Sequence, residues 1–316
     1  MQTAAIGIDL GGTKIAAALV TGEGEVLAAR HSPTLAQDGE QAVLGRIADL
    51  ANELIDEASN LRTHSLLGLG IGSPGRVDPV TGVVHNAVNL GWDKVALAEG
   101  VRSRLARPLP VWIGKDSNTS TIGEYIFGAA QNNPEYLFLS IGTGLGGGLM
   151  SAGQLVTGAN WNATELGHIS LDPLHGRQCV CGLRGCAETI VSGPGLAALY
   201  KQMGGADLEP AIILDSARAG EDLALRAMQK MGLTLGIVIA FCVAVTNPSL
   251  VVIGGGFGLA AFDLLLPSAL RELEMRVLKA SYADLRILPS RQSSSAVGAA
   301  SLAWFYTQKE VMPKEQ

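Results

Sequence analysis

Apolar positions along the chain follow two periods, and the way they alternate predicts strands and helices in turn. Four short, largely apolar runs stop at glycine-bearing turns. They are Ala4 to Leu10 before Gly11-Gly12, Leu66 to Ile71 before Ser73-Pro74-Gly75, Tyr136 to Ile141 before Gly142, and Leu250 to Ile253 before Gly254-Gly255-Gly256. Each has the length of a buried strand, and Val111 to Ile113 adds a shorter one. Between them, Val43, Ile47, Leu50, Leu54 and Ala58 recur at helical spacing, so 39–60 reads as an amphipathic helix. Further helices are expected over 117–127, over 210–246 with a break near Gly220, over 262–279 and over 297–306. Strands and helices in this alternation imply a largely parallel, helix-covered sheet.

Two segments share one plan. AAIGIDL leads through Gly11-Gly12-Thr13-Lys14 into IAAALV, and YLFLSI leads through Gly142-Thr143-Gly144 to Gly148 into LMSAGQLV. Both are hairpin signatures. The repetition predicts a duplicated α/β fold with a cleft between its halves. No Pro/Ser linker marks a boundary. The expected division is a small domain of residues 1–115 plus about 298–316, and a large domain of 116–297.

Composition narrows the function classes. With 316 residues, 47% of them hydrophobic, the chain can bury a large core, and a formal charge of −6 without any Lys/Arg block argues against a nucleic-acid partner. The N-terminus has no basic region or cleavage site of a signal peptide. Leu233 to Val245, the longest apolar stretch, is too short to span a bilayer and is expected to be a buried core helix carrying Cys242 as a small core residue. These features together predict a soluble cytoplasmic protein with no membrane partner.

Three of the four cysteines fall in HISLDPLHGRQCVCGLRGC, residues 168–186. His168, Cys179, Cys181 and Cys186 have the spacing of a Cys3His site, which would hold a structural Zn²⁺ because four protein ligands leave no open position. Glu165 and Glu188 bracket the cluster, so a metal there would also fix two carboxylates. A second chemistry is suggested by Asp9-Leu10-Gly11-Gly12-Thr13-Lys14, where a strand-end carboxylate precedes a turn of N–H groups able to cradle phosphate oxygens. Asp9 would then face the Mg²⁺ that accompanies a nucleotide. The same residues also fit an ordinary hairpin turn with a capping Asp. The second turn at Gly142, Thr143 and Gly144 and the glycines 254–256 weigh toward ligand approach. Residues 142–147 formally match GxGxxG, but the glycine-broken segment that follows reads as a strand, which disfavours a Rossmann site.

Taken together, these segments resemble the ROK family of bacterial sugar kinases, within the actin-like ATPase superfamily. The resemblance runs through DLGGTK at 9–14, GSPGRVDPVTG at 72–82, NLGW at 89–92 and KDSNTSTIGEYIFGAA at 115–130. It continues through LSIGTGLGGGLM at 139–150, ELGH at 165–168, CVCGLRGCAE at 179–188 and VVIGGGF at 251–257. It implies a two-domain α/β fold of the actin-like (ribonuclease H-like) kind with an interdomain cleft. It further implies that Asp9, Gly11, Gly12, Thr13 and Lys14 with Gly142, Thr143 and Gly144 hold the ATP phosphates, and that Gly254, Gly255 and Gly256 lie on the adenosine side. Asp116, which by itself could equally be a helix-capping carboxylate, matches the base that takes the proton of the attacking sugar hydroxyl. Gly75, Asn89, Glu165, His168 and Glu188 match sugar-pocket positions, with His168 also on the zinc.

Two positions depart from the family pattern. Lys115 stands where an Asn that touches the sugar is usual, and Thr164 where many glucose-specific members have Gly. A cation at 115 cannot accept a hydrogen bond from a sugar hydroxyl. These departures bear on sugar preference. The expected activity is ATP-dependent phosphorylation of a hexose, foremost glucose at its 6-hydroxyl, with N-acetylmannosamine or N-acetylglucosamine as the alternative acceptors and a catalytically inactive sugar sensor as a further reading. The family's sugar-responsive repressors carry an N-terminal helix-turn-helix, for which a first strand starting by about Ala4 leaves no room. The resemblance also implies a homo-oligomer, a dimer or a tetramer.

Overall fold

Strand alternation in AAIGIDL puts small residues at one set of positions and large ones at the other, and this sorts the two faces of the first sheet. The structure, a computed structural model, describes residues 2–61 and 64–311. It divides into a unit of residues 1–132, 157–163 and 291–316 and a unit of residues 133–156 and 164–290. Residues 116–132 and 291–297 group with the first unit, whereas the expected boundaries were 115 and 298; of the expected small-domain tail, 312–316 lie outside the described residues.

In the first unit, β1 (Gln2–Leu10), β2 (Lys14–Thr21) and β3 (Val26–Pro33) form an antiparallel meander. Helix α1 (Glu40–Leu61) follows, and β4 (His64–Ser73) then pairs parallel with β1. A small antiparallel sheet of β5 (Arg76–Asp78), β6 (Val83–Ala87) and β7 (Trp92–Val95) precedes α2 (Leu97–Arg102). Strand β8 (Val111–Lys115) joins β4 in parallel and feeds directly into α3 (Asp116–Ile126). The strand order is β3-β2-β1-β4-β8. Ile6, Ile8 and Leu10 face a core that also contains Val43, Ile47 and Leu54 of α1, in agreement with the expected amphipathic helix. Ala5 faces the other way, onto a C-terminal helix, Ser295–Val311, that packs through Ala296, Ala300 and Ala303.

The second unit repeats the plan. Strands β9 (Tyr136–Ile141), β10 (Leu145–Ser151) and β11 (Gln154–Leu155) are antiparallel, while β12 (Leu250–Gly254) and β13 (Arg286–Pro289) run parallel to β9, in the order β11-β10-β9-β12-β13. The duplicated fold expected from the two hairpins is therefore present. Helices α4 (Gly193–Gln202), α5 (Pro210–Arg218) and α6 (Asp222–Thr246) build the core together with α8 (Phe262–Arg276), which follows the short α7 (Gly256–Ala260). A one-turn helix, α9 (Lys279–Tyr282), precedes β13. Among the described residues α6 is the one helix long and apolar enough to cross a membrane, yet Leu235, Val238, Ile239 and Val243 lie in the core of this unit. The stretch 233–245 is the core helix expected, with Cys242 buried in it.

Two expectations need correction. Residues 146–148 are not part of the second turn. Strand β10 already starts at Leu145 and carries the glycines within it. The reason is packing, since a Cβ on Gly147 would come within 2.9 Å of Leu166 Cδ1, and one on Gly167 within 2.3 Å of the Leu145 carbonyl. Segment 164–168 lies flush on β10, and only glycine allows it. The helix expected over 262–279 ends instead at Arg276, with α9 as a separate turn.

The C-terminal helix lies equally close to the first sheet. A Cβ on Gly7 would sit 1.9 Å from the Ala296 carbonyl oxygen, and one on Gly70 1.9 Å from that of Ala299. Overpacking a site bounded by backbone on both sides forces the elements apart, at about 1–3 kcal/mol or more. Gly70→Ala is therefore expected to lower the unfolding free energy in urea titrations by that amount, while Gly45→Ala, on the open side of α1 with no atom within 4 Å of its Cβ, is expected to be neutral or stabilising.

Candidate functional site

Strand β1 delivers Asp9 to the face that carries the C-terminal helix, because Asp9 continues the register of Ala5 and Gly7. There it is largely buried and receives a hydrogen bond from Ser295, at the start of that helix. Burial, reinforced by the negative charge of Asp116, raises its pKa from 3.8 to about 6, and the Ser295 bond only partly offsets this. Asp116 arrives from the end of β8 as the first residue of α3. Its side chain is exposed, and Oδ1 accepts the N–H of Ser117 at 2.6 Å. Asp116 is thus a first-turn carboxylate and at the same time the charge that Asp9 feels. Two carboxylates this close repel, and a cation between them would lower the energy of both. The residues fit a divalent ion.

The turn after Asp9 is held from behind. Gly11 N–H bonds the Lys14 carbonyl at 3.0 Å, and a Cβ on Gly12 would fall 3.1 Å from Asn89 Cβ. Asn89 lies in the 3₁₀ turn Val88–Leu90 right after β6, and Gly75, between β4 and β5, packs on β6 so closely that a Cβ would meet the His85 carbonyl at 2.7 Å. Gly12, Asn89 and Gly75 therefore form one contiguous corner of the first unit. Thr13 and Lys14 are exposed. Lys115 pairs in register with Ser73, one residue beyond the Gly72–Gly114 pair, so it projects from the sheet face opposite to Asp9.

In the second unit the turn at Gly142, Thr143 and Gly144 is gripped on both flanks. The Gly142 carbonyl accepts from Gly193 N–H at 2.8 Å, and Glu188 Oε2 accepts from Leu145 N–H at 2.9 Å. Glu188 also lies so near Gly144 that a Cβ there would come within 2.3 Å of its Oε2. Gly255, at φ 80°, abuts Ile141, whose carbonyl would be 2.4 Å from a Cβ, so the glycines 254–256 adjoin the same turn. The strand after 142–144 confirms that GxGxxG here is no dinucleotide fingerprint. Glu165 precedes the 3₁₀ turn Leu166–His168. Before it, Thr164 sits at φ 63°, a region β-branched residues avoid, while its Oγ1 donates to the Gly147 carbonyl at 3.0 Å. Glycine at position 164 would relieve the backbone strain but forgo this hydrogen bond.

The four expected metal ligands converge. Cys179 Sγ lies 3.7 Å from His168 Nδ1 and Cys181 Sγ 3.7 Å from Cys186 Sγ, with all four donor atoms within 4.8 Å of one another. Zinc bonds of about 2.0–2.3 Å in a tetrahedron demand donor separations of about 3.5–3.8 Å. Burial, together with the neighbouring Cys181 and Cys179, pushes the Cys186 thiol up to about 12, so a thiolate at Cys186 calls for a cation. The donor set and its spacing fit Zn²⁺.

Sequence reasoning missed three supports. Thr34 and Ser295, which hold the first turn and Asp9, carry no local motif. Ser192 does: in Ser192-Gly193-Pro194-Gly195 it is the N-cap of α4, accepting from Gly195 N–H at 2.9 Å, with Pro194 in the first helical turn. Its hydroxyl also donates to the Glu188 carbonyl at 2.8 Å, which latches α4 to the cysteine-bearing loop.

Comparison with known proteins identifies the family. A model of the ROK family matches residues 5–305. The chain is similar to a glucokinase of Halalkalibacterium halodurans, with 31% identity over 96% of this chain and 95% of that protein. It is also similar to the crystal structure of a ROK family glucokinase from Streptomyces griseus in complex with glucose and AMPPNP, with a TM-score of 0.77, 30% identity, and 95% and 99% of the two chains covered. A ROK family transcriptional regulator, a homologue of the E. coli MLC protein, gives a TM-score of 0.83 at 26% identity, with 96% of this chain covering 77% of that one. On its sequence, its duplicated sheets and its cysteine-rich loop, the chain belongs to the ROK family.

Proposed function

We propose that the chain is an ATP-dependent hexokinase that phosphorylates glucose at its 6-hydroxyl in the cytoplasm. The observation that carries this reading is the carboxylate pair at the carboxyl ends of β1 and β8, with Asp116 exposed at the head of α3 and Asp9 buried next to the Gly11–Lys14 turn. Phosphoryl transfer asks little covalent chemistry of a protein and much positioning. Asp116 accepts the proton of the 6-hydroxyl as the oxygen attacks the γ-phosphorus, and ADP leaves. The turns at 11–14 and 142–144 hold phosphate oxygens through backbone N–H groups, Lys14 adds a positive charge, and Gly254 to Gly256 let adenosine approach. Mg²⁺, held by Asp9, would neutralise phosphate charge. Gly75, Asn89, Glu165, His168 and Glu188 hold the sugar hydroxyls, and Zn²⁺ on His168, Cys179, Cys181 and Cys186 holds the loop carrying them. Support comes from the glucokinases among its relatives, the divalent-ion fit of Asp9 and Asp116, and the tetrahedral fit of the four loop ligands.

A coupled ADP-release assay with Mg-ATP against glucose, mannose, N-acetylglucosamine and N-acetylmannosamine tests the reading. Glucose is expected to be turned over fastest, and Asp116→Asn to lose about 10²–10⁴-fold in kcat. Absence of turnover with every sugar would replace the kinase by a sugar sensor.

Asp9 gives a prediction of opposite sign for stability and activity. Its folded pKa, about 6, exceeds the unfolded 3.8, so the folded state binds the proton more tightly. The penalty is full above pH 6 and disappears as pH falls toward 4. Asp9→Asn is expected to raise stability in metal-free urea titrations by about 1–3 kcal/mol at pH 8 and by nothing near pH 4, while kcat/KM for Mg-ATP collapses. A variant destabilised at pH 8 would refute the burial argument.

Elemental analysis is expected to find about one zinc per chain. Chelation should expose three thiols to a thiol reagent and raise the sugar KM several-fold, since Glu188 follows Cys186 by two residues. Full activity after complete metal removal would deny zinc its role in holding the sugar residues.

A further inference from the structure

The first phosphate turn, Gly11-Gly12-Thr13, connects β1 to β2, and Gly11 and Lys14 flank its central Gly12-Thr13. In an ordinary hairpin the flanking residues bond each other in both directions. Here Gly11 N–H does bond the Lys14 carbonyl, at 3.0 Å, but the Gly11 carbonyl is claimed from outside the hairpin, by Thr34 Oγ1 at 2.7 Å. The Thr34 N–H takes the Thr13 carbonyl at 2.9 Å. One residue, in the segment after β3, thus holds two carbonyls of the turn.

Peptide planarity gives this a consequence. In a trans peptide the C=O and the next N–H point in opposite directions, and no cis bond occurs among the described residues. With the carbonyls of Gly11 and Thr13 drawn to Thr34, the N–H groups of Gly12 and Lys14 are aimed away from it. Those are the donors a phosphate needs. Thr34 is itself immobilised, with 0% exposure and its own carbonyl bonded by Arg46 Nη1 of α1 at 2.9 Å. Arg46 is in turn held by an ion pair with Asp38.

We propose that Thr34 is the positioning residue of the first phosphate turn: its hydroxyl and N–H hold two carbonyls inward, so that the amides of Gly12 and Lys14 face the phosphates of ATP. Asp38 and Arg46 hold Thr34 in place. Thr34 touches neither substrate, and the inference rests on the nucleotide reading given above for the Gly11–Lys14 turn.

Thr34→Val preserves shape and backbone and removes only the hydroxyl. Glucose KM, ATP KM and kcat are measured with the full chain, and ADP and adenosine affinities by calorimetry. The expected result is an ATP KM raised roughly tenfold, as for a buried acceptor left without its donor, with glucose KM within twofold and recovery in Thr34→Ser. ADP affinity should fall in parallel while adenosine affinity stays constant, because the turn addresses phosphate alone. Equal loss for glucose and ATP, or for ADP and adenosine, would make Thr34 a merely structural residue. An unchanged ATP KM and ADP affinity would overturn the proposal outright. If wild type phosphorylates no sugar, the hexokinase reading fails, yet the comparison of ADP with adenosine still decides the role of Thr34. Wild type that binds no ADP would end both.

Discussion

The fold of the first unit depends on one close contact, backbone against backbone, between the C-terminal helix and strands β1 and β4. Gly7 and Gly70 remove the side chains that would hold the two apart, and Ala296, Ala299 and Ala300 do the same from the helix side. Dispersion contacts are gained only at such short range, and they are gained along the whole face. The same contact sets the chemistry. Asp9 lies two residues beyond Gly7 on the same face, so the approach of the helix is what removes water from its carboxylate and brings Ser295 to it. The raised pKa of Asp9 is here a by-product of how a helix docks on a sheet.

The turns at 11–14 and 142–144 are both glycine-rich, and glycine makes approach possible without fixing direction. Direction comes from other residues, and by different means in the two units. The first turn is pulled into shape by carbonyl acceptors bonded to Thr34. The second is held by Glu188 on one side and by the N-terminal turn of α4 on the other, through Gly193. Ser192 joins those two supports, since its hydroxyl serves both the Glu188 carbonyl and the Gly195 amide. Ser192 therefore joins the cysteine-bearing loop to the helix that braces the turn at 142–144. Thr164 fits this economy. Its left-handed backbone, strained by order of 1–3 kcal/mol, is held by its own hydroxyl on Gly147, one residue ahead of Glu165.

Much of this was legible in the chain because the features concerned are local. Strand-to-glycine junctions, the helical period of 39–60 and the Cys/His spacing each need only a short window, and all of them hold in the structure. What escaped was non-local. Thr34 becomes meaningful only when β3 folds back on β2, and Ser295 only when the last helix returns to the first strand. The glycines 146–148 read as a turn because a strand of glycines has no propensity to be one; they are a strand because segment 164–168 lies on them. Ser192 shows a different failure, since its cap was readable from Ser-Gly-Pro-Gly and only its second partner was not.

Charge ties these observations together. The chain brings Asp9 and Asp116 within reach of one another and keeps Asp9 largely out of water, and in isolation both choices cost stability. A protein selected only to stay folded would place Asn or Thr at one of these positions. The residues make sense together if a divalent cation and the phosphates it accompanies complete the site, because the cation then relieves the repulsion and the phosphates occupy the amides that Thr34 turns outward. The cysteine-bearing loop obeys the same logic at Cys186, a buried thiol beside two other sulfurs that a metal would let ionise. In both units the protein alone carries an electrostatic cost, at Asp9 and at Cys186, of the kind that a bound cation would relieve.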